Sequence, residues 1–222
     1  MQVKWVSHRQ YCLFFAALML WDALALADGN PQIESQIENN DRWLIRVMAV
    51  KVIPVDLTSE ISVIGGKVDT PQTNQLSMDL SYFLTDHWAV EFQGGPFDRE
   101  YRVKGSKVGD FKVGSISHTA LSMTLQYHFF RNAKLSPYLG LGINHVWTRD
   151  VKPAAGIPKF DVRDITSWLV NAGVDYQLSN HWSISTSLRY VVSPEYEFQG
   201  QGFNSTVSMN TLVVGGGLGY HF

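Results

Sequence analysis

The amino-acid sequence predicts an all-β fold, an eight-stranded antiparallel transmembrane β-barrel with short turns at one end and longer loops at the other. Three observations carry that expectation. Apolar and polar residues alternate with a period of two along eight successive runs, the connections between the runs alternate short and long, and an export signal precedes them all.

The signal comes first. Lys4 and Arg9 are followed by an apolar run from Tyr11 to Trp21 and then by Ala25-Leu26-Ala27, the small-x-small pattern of a secretory cleavage site, so cleavage after Ala27 is predicted. The run ends at Asp22, well short of the roughly 20 residues a membrane-spanning helix needs. Residues 28–41 are polar, with Asp28, Glu34, Glu38 and Asp41 unbalanced by any base, and are expected to form a flexible periplasmic tail ahead of a barrel over 42–222.

Beyond the tail the period is two. Leu121, Met123, Leu125, Tyr127 and Phe129 alternate with Ala120, Ser122, Thr124, Gln126 and His128, and the same pattern recurs from Ser167 to Leu178 and from Trp182 to Val192. Eight runs follow, near 42–53, 74–84, 88–98, 115–130, 137–150, 164–178, 182–196 and 206–222. Each exceeds the roughly 9–11 residues that cross a bilayer as a tilted strand, and eight is an even, closable number. Thr85-Asp86-His87, Arg131 to Ser136 and Ser179-Asn180-His181 are short links, whereas 54–73, 99–114, 151–163 and 197–205 are longer.

A soluble sandwich or lipocalin-like barrel also shows period-two strands, but it packs its oily face inward. Here one face is too rich in large aliphatics, and the other in Ser, Asn, Asp and Arg, to fill a small dry core, so lipid outside and a polar lumen inside fits better. Trp43, Tyr82, Trp88, Tyr127, Phe129, Trp182, Tyr220 and Phe222 stand at run ends, where an interfacial girdle belongs. Net charge is −2 with scattered bases, which argues against a nucleic-acid partner. The single cysteine, Cys12, leaves with the signal, so neither a disulfide nor a thiolate metal site is expected, and no cofactor is implied.

Several segments together resemble the outer membrane protein W family of eight-stranded barrels. They are Ile45-Arg46-Val47 with Pro54 after it, the hairpin Tyr82 to Glu91 (YFLTDHWAVE), Gly95-Pro96-Phe97, Pro137 to Asn144 (PYLGLGIN), Ala172 to Tyr176 (AGVDY) and the ending Gly217 to Phe222 (GLGYHF). The resemblance spans most of the chain after the signal. It implies a Gram-negative outer-membrane channel associated with uptake of small hydrophobic molecules. A terminal aromatic, Phe222, on a last strand further suggests the outer-membrane assembly machinery as a partner, beside membrane lipid.

Face and height, read from the alternation, give the lumen two zones. Toward the periplasm Arg46, Asp79, Glu91, Gln126, His128, Asn144, Asp175, Gln177 and Arg189 point inward and are expected to pair into a polar plug. Inward glycines such as Gly140 and Gly173 make room for them. Toward the outside, Met48, Val50, Val52, Phe97, Ile116, Val146, Leu169, Val191 and Val213 make an apolar vestibule, either mere packing at the top of a narrow barrel or a binding site for a hydrophobic solute. The resemblance favours the binding site. With the plug blocking straight passage, lateral exit through the wall is expected near Gly95 and Pro96, which weaken a ladder.

Two other classes compete. Lipid-modifying barrels carry a Ser, His and acid at one level, but His118, His128 and His145 fall on different faces or heights, and no serine has both partners, so an enzyme is not expected. The histidines show no ligand-pair spacing for a metal. A structural or adhesive barrel acting through loops such as Val151 to Arg163 remains the alternative to transport.

Overall fold

The computed structural model describes residues 41–61, 65–194, 196–200 and 203–222. The expected signal peptide and almost all of the polar tail lie outside the described residues. In chain order the strands are β1 (Trp43–Ile61), β2 (Lys67–Asp69), β3 (Thr73–Phe83), β4 (Trp88–Lys104), β5 (Phe111–His128) and β6 (Leu135–Pro153). They continue with β7 (Phe160–Val162), β8 (Ile165–Gln177), β9 (Trp182–Val192), β10 (Tyr196–Gly200) and β11 (Phe203–His221).

Eight long antiparallel strands, β1, β3, β4, β5, β6, β8, β9 and β11, pair in that order, and β11 returns to β1 to close the barrel. The seam is zipped at the chain end, where Trp43 N donates to Phe222 O and Phe222 N to Trp43 O, each at 3.0 Å. Closure leaves no sheet edge at the seam, as a bilayer without water requires.

The faces follow the alternation. Leu121, Met123 and Leu125, Trp168 and Val170, and Ile184 and Leu188 are exposed on the outside, whereas Thr124 and Gln126, Asn171, and Ser183, Ser185 and Ser187 are buried inside. Two of the short turns share one construction. Leu84 N donates to Trp88 O and Leu178 N to Trp182 O, both at 2.8 Å, and Thr85 and Ser179 each accept from the following tryptophan N–H. Around this end the aromatics interlock: Trp43 lies 4.6 Å from Tyr82, Trp88 5.1 Å from Tyr127 and Trp182 4.9 Å from Tyr220. That ring marks the inner membrane–water boundary.

The outer boundaries need correction. Strands run past the expected ends, with β1 reaching Ile61, β4 Lys104 and β6 Pro153, and with β5 starting at Phe111. Their alternation was masked because polarity inverts above the lipid. On β4 the inward Tyr101 and Val103 are buried while Glu100, Arg102 and Lys104 face water. A search for oily outward faces therefore stops too soon. The run expected to reach 196 instead ends at Val192, two residues before Pro194, and resumes as β10.

Three short strands also lie in segments read as loops. β2 pairs with β4, and β7 pairs with β10, which pairs with β11. Phe160 and Val162 of β7 cross to pack with Val68, Tyr101 and Ile116. The outer mouth thus carries a small apolar cap of its own.

Candidate functional site: a plugged lumen and a cavity beside a gap in the wall

The lower lumen is an ion network built from strands far apart in sequence. Arg46 on β1 spans it: Nε and Nη2 donate to the two carboxylate oxygens of Asp175 on β8 at 3.1 and 2.7 Å, and Nη1 donates to Glu91 on β4 at 3.1 Å and Ser81 on β3 at 3.0 Å. Arg189 on β9 donates to the other Glu91 oxygen and lies 3.6 Å from Asp79. Ser185 adds a 2.6 Å bond to Asp175. All five ionic side chains are buried. Two guanidiniums face three carboxylates, so the cluster carries one net negative charge in its ionised form.

Five of the six residues expected to form the plug meet in this network. Gln126 does not join it directly; it is buried one layer lower, 3.3 Å from His128 Nε2. His128 stacks on Tyr138 at 4.9 Å, and Tyr138 lies beneath the Arg46 guanidinium at 5.2 Å. Tyr138 was missed, although its place on β6, two residues before Gly140, puts it on the inward face. Opposite it stands Gly173, where a Cβ would come within 2.4 Å of the ring, so only glycine leaves space. Two further residues lie elsewhere than expected. Gln177 bonds the turn at Ser179 O (2.7 Å), and Asn144 lines the cavity above, accepting from Ser122 at 3.3 Å.

Above the plug is a cavity of about 150 Å³. An apolar cavity of that size holds a solute on the scale of benzene. Seven of the nine expected vestibule residues line it: Val50, Val52, Phe97, Val146, Leu169, Val191 and Val213. Met48 and Ile116 do not. Met48 is buried at the boundary with the plug, 3.9 Å from Ser187 Oγ, and Ile116 belongs to the cap. Alternation assigns a face correctly but cannot say which layer covers a residue. The lining also includes polar groups that the apolar reading passed over, among them Gln93, Arg99, His118 and Ser193.

One side of the cavity is a gap in the barrel wall. β3 pairs with β4 only from Asp79↔Gln93 down to Phe83↔Ala89. Above that level β3 stays bound to β1 up to Thr73↔Val52, and β4 stays bound to β5 through Gly94↔Leu121, Gly95↔Ala120 and Pro96↔Thr119. Residues 73–78 and 94–101 therefore flank an interval with no ladder between them. Below, Gln93 Nε2 donates to Ser77 Oγ; above, Thr70 Oγ1 donates to Glu100 O at 2.9 Å, and β2 takes up the pairing with β4. Leu76, Gly94, Gly95 and Pro96 border the cavity here, and Leu76 is 79% exposed to the outside. Proline lacks an N–H and glycine packs nothing, so this stretch of β4 tolerates a missing neighbour. Unpaired backbone at membrane depth is tolerated where it lines a cavity.

His118 faces the lumen near the top, His128 lies near the bottom, and His145 bonds Thr166 on the outside at 2.7 Å. Among the described residues no group of three His, Cys, Asp or Glu side chains is placed to hold a metal.

Comparison with known proteins agrees with this architecture. The OmpW family model matches residues 39–222. Outer membrane protein AlkL of Ectopseudomonas oleovorans is 26% identical over 182 residues, 79% of each chain. The dibenzothiophene metabolism operon protein PahQ of Pseudomonas aeruginosa is 24% identical over 71% of this chain and 76% of its own. The crystal structure of outer membrane protein OprG from Pseudomonas aeruginosa superposes with a TM-score of 0.73 at 24% identity, covering 82% of this chain and 96% of that one. A family match across the whole described barrel, on a lipid-facing fold shared with outer-membrane proteins, places the chain in the outer membrane and makes it a member of the OmpW family.

Proposed function

We propose that the barrel takes up small hydrophobic molecules from outside, holds them in the apolar vestibule, and releases them sideways into the membrane between β3 and β4. The observation that carries this reading is the unpaired interval of wall at the level of the cavity, bordered by Leu76, Gly95 and Pro96. The plug supports it from below, because a solute that cannot cross five buried, bonded ionic groups gains by leaving through an apolar wall. Relatives encoded in a dibenzothiophene metabolism operon point to apolar substrates. The Phe222 strand end is the segment by which the assembly machinery would engage the chain before the seam closes.

Leu76→Asp tests the exit. Leu76 borders the gap and is exposed on its outer side, so a carboxylate there charges the opening at the lipid face without filling the vestibule. Cells lacking the gene and complemented with this variant should take up apolar solutes no faster than uncomplemented cells, while the purified variant still binds toluene. Uptake equal to that of the unaltered chain would overturn lateral exit.

A further inference from the structure

The cavity contains one cation that the plug does not account for. Arg99 on β4 reaches inward near the top of the vestibule, where Nη1 donates to the thioether of Met209 on β11 at 3.7 Å and the guanidinium lies 5.6 Å from the Phe97 ring. Among the described residues no carboxylate lies within ion-pair distance of it. The neighbouring acids are engaged elsewhere: Asp98 accepts from Ser117 at 2.6 Å, Glu100 is ion-paired with Arg102 and Lys112, and Asp164 accepts from Thr148 N at 2.8 Å. Arg46 and Arg189, by contrast, each contact two carboxylates. A thioether is a weak acceptor, whereas a guanidinium binds a carboxylate through two parallel, charge-assisted bonds.

A second polar group faces the same space. His118 lies 5.1 Å from Phe97 in a stacked arrangement, is 4% exposed, and its Nδ1 has no hydrogen-bond partner. Beneath both, the cavity wall is aliphatic, with Val50, Val146, Leu169 and Val213, and the plug side chain that lines the floor is Arg189, already held by Glu91 and Asp79.

We infer that the preferred ligand of the vestibule is a small aryl or short-chain alkyl monocarboxylate, its head on Arg99 and its apolar body among the valines and Leu169. The inference rests on the vestibule reading above and names its substrate class. With the carboxylate on Arg99 at the mouth, the body lies below it, level with the gap between β3 and β4.

Benzoate and benzyl alcohol share a ring and differ in the head, so their affinities for the full barrel in lipid nanodiscs, at neutral pH, isolate the Arg99 contribution. The unaltered chain should bind benzoate more tightly than benzyl alcohol. Arg99→Gln should lower the ratio of the two affinities by about tenfold, the scale of a charge-assisted hydrogen bond, and Arg99→Lys should restore part of it. A benzoate preference that is absent, or that survives Arg99→Gln, overturns the carboxylate site. If toluene and benzyl alcohol also fail to bind the unaltered chain, the vestibule reading falls with it; if they bind, that reading stands alone.

Discussion

Replacing Arg46 by Met should destabilise the barrel by about 3–5 kcal/mol, the cost of breaking a buried ion pair from one side. The structure sets the scale. The side chain is fully buried and makes four hydrogen bonds, three of them to the carboxylates of Asp175 and Glu91. At about 1.5–3 kcal/mol for each bond to a charged group, simple addition gives more than the expected loss. The stranded carboxylates can take up a proton or water, however, which limits the damage. The substitution also raises the excess negative charge of the plug from one to two. Adding Asp175→Asn returns that excess to one, because Arg189 then faces only Asp79 and Glu91. The double variant should therefore recover about 1–3 kcal/mol relative to additivity, within the range of directly coupled residues. Urea unfolding in lipid vesicles, followed by tryptophan fluorescence, measures all three variants. An Arg46→Met barrel within about 1 kcal/mol of the unaltered chain, or a strictly additive double variant, would refute the idea that the lumen is held by one coupled network.

Two further outcomes follow from the cavity and its cap. Leu169 is buried on the cavity wall, so Leu169→Lys should put an ammonium group in the path of an apolar solute and abolish apolar uptake, with the barrel still assembled in the outer membrane; retained uptake in cells would remove Leu169 from the binding wall. Phe160→Ala empties part of the cap, whose strand β7 pairs, among the described residues, with β10 alone, and should weaken it locally by about 1–2 kcal/mol, a factor of roughly 5–30. Hydrogen exchange at amides 160–162 should accelerate by that factor while the β4–β5 amides keep their rate, and a uniform change would mean the cap is not a separate unit.

Much of the barrel was legible because lipid imposes a one-dimensional code. Where Leu121, Met123 and Leu125 face acyl chains and Ser122, Thr124 and Gln126 face the lumen, a period of two is enough to identify strand, face and direction. The code fails where the solvent changes. Above the bilayer the outward residues become Glu100, Arg102 and Lys104, the contrast inverts, and strand extensions look like loops. The short β7 and β10 have too few residues to show any period, and their existence depends on each other across the mouth.

The sequence by itself determined an exported eight-stranded barrel, its lipid and lumen faces, its aromatic ends and the charged residues that fill its lower half, since each of these depends on local alternation or on residue type alone. Only the tertiary structure decided who meets whom. Asp175 reaches Arg46 across 129 positions of chain, Tyr138 fits because Gly173 stands opposite, and among the described residues Arg99 has no carboxylate partner because its neighbours are engaged elsewhere. The gap between β3 and β4 belongs to the same class. A missing ladder is a property of two strands and their separation, which closure of the whole barrel sets and which neither strand records alone.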